Sequence, residues 1–387
     1  MARTGPSAAD RQLISQLAAR DLSVSAAQLE RWRHAGLLSG NSRHGLGRGQ
    51  GSASEVPPEA VETAAALSRH TRQGRDLRLA VIDWFADAGL PVMPGEPAVP
   101  EPPHGAVQSA LNWITATSPE YRLLQLARAS RTVEEQDHFY QAADRTLRSL
   151  TMAPAFDVTA VREALSSGQD VPGDAFRSGP KLRSAMIELV AAFGMGYEED
   201  TAEFLAENAV ESGMFPATSP AAVQQMITRL ENPPPEIAPL VEMLFTRYDP
   251  LQMLSLANAE MLRQARTAAR DLASIGSMFF LHAFLMPDTP GQKELRATAT
   301  ALGIQQIAMA MALTIHTTGG FASAVVNCLH PFYAGIAKVL SDQLLSDQAA
   351  SRPLIADNPE GVERFMADWV TLKDNALERR RDRAAGG

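Results

Sequence analysis

Among 387 residues there is a single cysteine, Cys328. One thiol forms no internal disulfide, which excludes a disulfide-stapled scaffold and points to a reducing, cytoplasmic setting. Alternating apolar and polar runs, the mark of half-buried strands, are scarce, so an all-α fold is expected. Met1 to Asp10 is small and polar, with no apolar core behind a basic start, and no secretory leader is expected there. No nucleophile–base pair, phosphate-binding loop or pair of carboxylates stands out. The expectation is therefore a protein that is not an enzyme, with no catalytic residues and no cofactor.

A membrane span is also disfavoured. The longest uncharged stretch is the 41 residues from Ala297 to Ala337. It is broken by Gly319-Gly320 and carries Gln305, Gln306, His316, Asn327 and His330. Hydrocarbon would leave those polar groups unsatisfied. The stretch reads instead as a buried hairpin at the centre of a helical body, or as a self-association surface. No metal site is expected either. His316, Cys328 and His330 are too few for a closed site, and Glu135-x-x-His138 has no second such pair to complete a di-metal bundle. The stripe Glu199, Glu203, Glu207 and Glu211 reads as a solvated helix face.

What is present divides the chain. Hydrophobic residues make up 45%, enough for globular domains, and the length suits two or three of them. Six prolines between Pro91 and Pro103 exclude a helix and read as a stiff linker over 91–104. The net charge of −9 is unevenly spread: residues 1–90 carry +2 and the remainder −11. Five arginines (20, 31, 33, 43 and 48) face only Asp21 and Glu30 between Arg20 and Arg48, a basic concentration of the kind that meets nucleic acid. Residues 105–375 read as a helical domain for sensing or assembly, with breaks near 154–180 and 233–235, followed by a basic tail over 376–387. Its helix starts are marked by a capping residue before proline: Ser118-Pro119, Ser219-Pro220, Asp249-Pro250, Thr289-Pro290 and Asn358-Pro359.

The first ninety residues carry the most specific pattern. Apolar positions 13, 14 and 17 predict a short helix over 11–20, and Asp21 to Val24 a tight turn. Ser25 and Gln28 form a capping box that opens a second helix over 26–34, ending at Gly36. Glycines at 45, 47, 49 and 51 permit a tight ribbon. Pro57-Pro58 opens a helix to about residue 73, Gly74 ends it, and another helix spans 77–88.

This order resembles the MerR-type winged helix-turn-helix. The segment Gln28-Leu29-Glu30-Arg31-Trp32-Arg33-His34-Ala35-Gly36-Leu37-Leu38 is similar to that family's recognition helix and its closing turn. Gly74-x-x-Leu77-x-x-x-Val81 resembles the turn between the two helices after the wing. The resemblance covers residues 10–90. It implies a DNA-binding transcriptional regulator that meets double-stranded DNA through Gln28, Arg31, Arg33, Arg43, His44 and Arg48. Leu17, Leu29, Trp32 and Leu37 would form the module's core, Trp32 serving as a core anchor. Two departures stand out: Arg33 occupies a position that is usually acidic, and the proline linker displaces the family's dimer helix. A homo-oligomer would then need another pairing surface, which the 297–337 stretch could supply. A small-molecule effector is a further candidate partner. The alternative readings are an architectural DNA-binding factor, or a helical assembly protein with a repurposed winged module.

Overall fold

The computed structural model describes residues 6–45, 52–71, 74–91, 95, 97–149, 187, 190–191, 194–195, 249–285, 317–331, 333–335 and 337–338. These are mostly helical, with one two-stranded antiparallel sheet. Several expectations lie outside them: the acidic stripe at 199–211, the breaks at 154–180 and 233–235, the caps at Ser219, Thr289 and Asn358, the 297–316 half of the uncharged stretch, and the basic tail.

Helix α1 (Ala8–Ala18) begins at a capping box: Ser7 Oγ accepts from Asp10 N at 3.0 Å, and the Asp10 carboxylate accepts from Ser7 N. Its buried residues, Ala9, Leu13 and Leu17, repeat every four positions and form one face. Asp21 holds the following turn with a left-handed φ of 59°. Helix α2 (Ala26–His34) opens on the Ser25–Gln28 box. It closes where Leu37 N donates to Trp32 O and Gly36 N to Arg33 O, with Gly36 at φ 69°. That pair of bonds satisfies two orphan carbonyls and turns Leu37 into the core, a geometry that a residue with a Cβ would strain.

Strands β1 (Ser42–Gly45) and β2 (Ser52–Glu55) pair with Ser42 opposite Glu55. Helix α3 (Pro58–His70) starts on a proline, which lacks the N–H that would be orphaned there. Ala64, Ala65, Ala66 and Leu67 are all buried, so α3 is enclosed around most of its circumference, and the small side chains let α1 and α4 (Leu77–Asp87) approach. Trp32 and Trp84 are fully buried in this module.

The described part of the proline-rich stretch packs back on α4. Gly89 N donates to Val99 O and Val99 N to Leu90 O; Val99 is buried, and Trp84 Nε1 donates to Pro100 O at 2.7 Å. The chain then runs into α5 (His104–Thr117), which lies against α4. Ser118 ends α5 and caps α6 (Pro119–Ala129) through Tyr121 N. Helix α7 (Val133–Ser149) follows, and α6 and α7 share with Ile187 and Ala191 a small core that also holds Leu123, Ala127, Phe139 and Ala143.

Beyond residue 249 come α8 (Pro250–Leu256), α9 (Ala259–Leu285) and α10 (Thr318–Cys328). Asp249 caps α8 by accepting from Leu251 N and Gln252 N, and Gln108 Nε2 donates to Leu254 O near its other end. The described end of the uncharged stretch is buried at Phe321, Ala322, Val325, Val326, Cys328 and Leu329. These side chains join Leu254, Leu262 and the N-terminal residues in one continuous core.

The seam in that core is polar as well as apolar. Arg266, with its side chain 6% exposed, makes a two-pronged bond to Glu101 at 2.6 and 2.7 Å and donates to Phe85 O. Its guanidinium also stands 4.8 Å from the centre of the Phe85 ring. One turn on, Arg270 donates to Ala86 O and Ala88 O. Thr318, at the start of α10, donates to Asp83 and accepts from Arg75, which itself pairs with Asp83.

The two ends of the Arg266–Glu101 pair are unequally buried, and this gives a test. Glu101→Ala leaves a buried guanidinium without its counter-charge, at a cost of about 3–5 kcal/mol. Arg266→Met leaves a carboxylate that water reaches, at a smaller cost of about 1–2 kcal/mol. Urea midpoints should therefore fall further for Glu101→Ala; the reverse order would mean that Arg266 stabilises through its contacts with Phe85 rather than through Glu101.

Candidate nucleic-acid interface

The residues singled out in the sequence separate into three groups. Leu17, Leu29, Trp32 and Leu37 are all buried in the N-terminal module. The Trp32 indole N–H has no hydrogen-bond partner, so this ring contributes to the core through its apolar area alone.

A second group is engaged within the fold. Gln28 Oε1 accepts from Ser25 N at 2.8 Å and from Ser25 Oγ at 3.0 Å, closing the capping box. Arg33 turns toward α1, where it pairs with Asp10 at 2.7 Å; the two side chains are only 21% and 16% exposed. It also donates to Ser39 O and Asn41 Oδ1. Asn41 Nδ2 in turn donates to Asp10 Oδ1. One network thus ties the start of α1, the last turn of α2 and the entry to β1 together. Burial raises the Asp10 pKa, but hydrogen bonds from Ser7, Asn41 and Arg33, with the Arg33 charge, outweigh it and hold the carboxyl below its ordinary value. Arg20, also within the basic cluster, makes a two-pronged bond to Glu62.

Of the remaining four, Arg31 and His44 face outward. Arg31 is exposed and has no side-chain partner among the described residues. His44 is exposed on β1, 3.6 Å from Glu55. Arg43 lies on β1 in register with Ser54. Arg48 lies outside the described residues, as do Leu46 to Gly51 of the glycine ribbon. Among the described elements α2 packs mainly on α1, whereas α4 is covered by α3, α5, α9 and α10.

Sequence reasoning missed the Asp10–Arg33–Asn41 network. Two signals could have found it: Ser7-x-x-Asp10 has the spacing of a capping box, and an arginine at a usually acidic position implies a new partner.

The other candidates in the sequence resolve locally. Glu135 Oε2 accepts from Arg131 N and Thr132 N, so its carboxylate caps α7 while His138 stays exposed. Those backbone donors hold the Glu135 carboxyl below its usual pKa. Cys328 and His330 are buried, and burial, with the charge of Asp271, pushes the Cys328 thiol up to about 12. Among the described residues no three His, Cys, Asp or Glu side chains come together in a group that could hold a metal, and no helix is long and apolar enough to cross a membrane. Family models, curated proteins and solved structures were compared with the chain, and none matches it.

The Asp10 network predicts a pH dependence. Because the folded carboxyl titrates below its unfolded value, its stabilisation is complete above about pH 4 and is lost as pH falls through the folded pKa. Thermal melts of Asp10→Asn between about pH 5 and 2.5 should accordingly fall less steeply than those of the parent. Parallel curves would show that the carboxylate adds nothing to the module's stability.

Proposed function

We propose that the chain is a DNA-binding transcriptional regulator, its N-terminal module meeting duplex DNA through α2 and the β1–β2 hairpin. One observation carries this reading: α2 is capped at both ends and anchored by Leu29 and Trp32, yet its outer face, like that of α1, is left uncovered while α3 and α4 are enclosed. A short rigid helix with a free polar face is what entry into the major groove demands. The Arg33 network supports it further by holding the hairpin entry in fixed relation to α2. The resemblance to the MerR type extends the proposal: the protein acts in the cytoplasm as a homo-oligomer that reshapes its promoter. Its C-terminal helices provide the pairing surface and the response to an effector.

A second reading is favoured by the seam. Because α4 is locked to α9 and α10, the module belongs to one packed body, as a helical assembly protein with a repurposed winged module or an architectural factor would require.

DNA affinity against salt decides between binding and repurposing. The full chain is the reagent to use, since α4 is covered by helices beyond residue 90. Each neutralised phosphate adds about −0.9 to the slope of log K against log salt, so a slope of about −3 or steeper is expected. An absence of binding to duplex DNA at about 50 mM salt would overturn the regulator reading and leave the assembly reading standing.

A further inference from the structure

On the DNA-binding reading, which this inference rests on, the outer face of α2 can be assigned residue by residue. At 100° per residue, positions 27, 30, 31 and 34 fall within about 100° of arc. All four, Ala27, Glu30, Arg31 and His34, are exposed, and Glu30, Arg31 and His34 have no side-chain partner among the described residues. The opposite positions, Leu29 and Trp32, are buried. Gln28 and Arg33 flank the stripe on either side, and both are held by bonds within the protein: Gln28 in the Ser25 capping box, Arg33 on Asp10. The groups free to meet a ligand on this helix are therefore not the full set of its polar residues.

We infer that Glu30 and Arg31, side by side on this uncovered stripe, read base edges in the major groove and select G·C pairs. The chemistry is specific on both counts. The Arg31 guanidinium offers parallel donors that match guanine O6 and N7. An ionised Glu30 is an acceptor only, and every phosphate repels it; on a face that meets DNA it gains a partner only at a base amino group, for which cytosine N4 is the fitting donor. Ala27, nearer the N-terminus of α2, adds no bulk and lets that end approach the bases. His34, at the other end, lies where its ring N–H reaches a phosphate or guanine N7. Gln28 and Arg33, committed to Ser25 and Asp10, contribute nothing to the choice of base.

The test is selection of sites by the full chain from a random duplex library, followed by the same selection with four variants whose folding is checked by circular dichroism. The parent should enrich sites with a G·C core. Arg31→Ala and Glu30→Ala should each lose about ten- to a hundredfold in preference at one of those pairs. Glu30→Ala should at the same time bind random duplex more tightly, since a repulsive charge is gone. Gln28→Ala and Arg33→Met should keep the parent's site preference. Replacing the selected guanine by 7-deazaguanine removes the N7 acceptor, so it should weaken the parent and leave Arg31→Ala unaffected. If Glu30→Ala and Arg31→Ala select the parent's site unchanged, or if Gln28→Ala alters it, this assignment is wrong while DNA binding stands. If the parent binds duplex DNA at no salt concentration, the DNA-binding reading falls and takes the assignment with it.

Discussion

The last turn of α4 ends in carbonyls that no residue of its own helix can satisfy, and the fold is organised around supplying them. A helix leaves its final carbonyls without intrahelical donors, and buried ones must find partners elsewhere. Here the donors are the guanidinium groups of Arg266 and Arg270, one turn apart on α9. Two positive charges at the negative end of a helix dipole are favourable in their own right. They also fix α9 against α4, and Glu101, carried by the proline-rich connection, neutralises the more deeply buried of the two. The apolar contacts of α5 and α10 close around that arrangement.

This placement decides what remains for function. Covering α4 removes one surface of the N-terminal module from any other use and leaves α2 open. Inside the module, the Asp10–Arg33 pair does for α1 and α2 what the Arg266–Glu101 pair does for α4 and α9: a charge that looks available in the sequence is committed to holding two elements together. The basic cluster from Arg20 to Arg48 is accordingly less free than its composition implies, since Arg20 pairs with Glu62 and Arg33 with Asp10.

Local chemistry was legible in the sequence wherever it was carried by adjacent residues. The bounds of α2, the left-handed Gly36, the caps Ser118 and Asp249, and the buried Trp32 all follow from patterns a few residues long. Apolar periodicity alone starts α1 three residues late, because its first turn is Ala-Ala-Asp, although Ser7 marks the true start. Arg266 and Arg270 could not be foreseen. Arginines four apart on an amphipathic helix look like a solvated stripe, and their acceptors are backbone carbonyls, which leave no trace in side-chain identity. Glu135 and His138 show the converse: spacing suggestive of a shared ligand arises because a glutamate at the third helical position caps its own helix. For the site, sequence pointed to the right helix but could not separate the residues that face out from those turned in. That distinction rests on Asp10, which is distant in sequence.

The arginines of α9 and the α4 carbonyls they meet stand more than 180 positions apart in the chain. During synthesis at about 5–20 residues per second, α4 emerges roughly ten to forty seconds before the arginines that complete it. Through that interval α4 has α3, α5 and the proline-rich stretch against it but not α9 or α10, and the carbonyls at its end rely on water. Nascent chains of this protein thus pass through a state that exposes aggregation-prone surface, and contacts of such long separation slow its burial further. The same seam that joins α4 to α9 leaves one side of the N-terminal module open until the ribosome has passed α9.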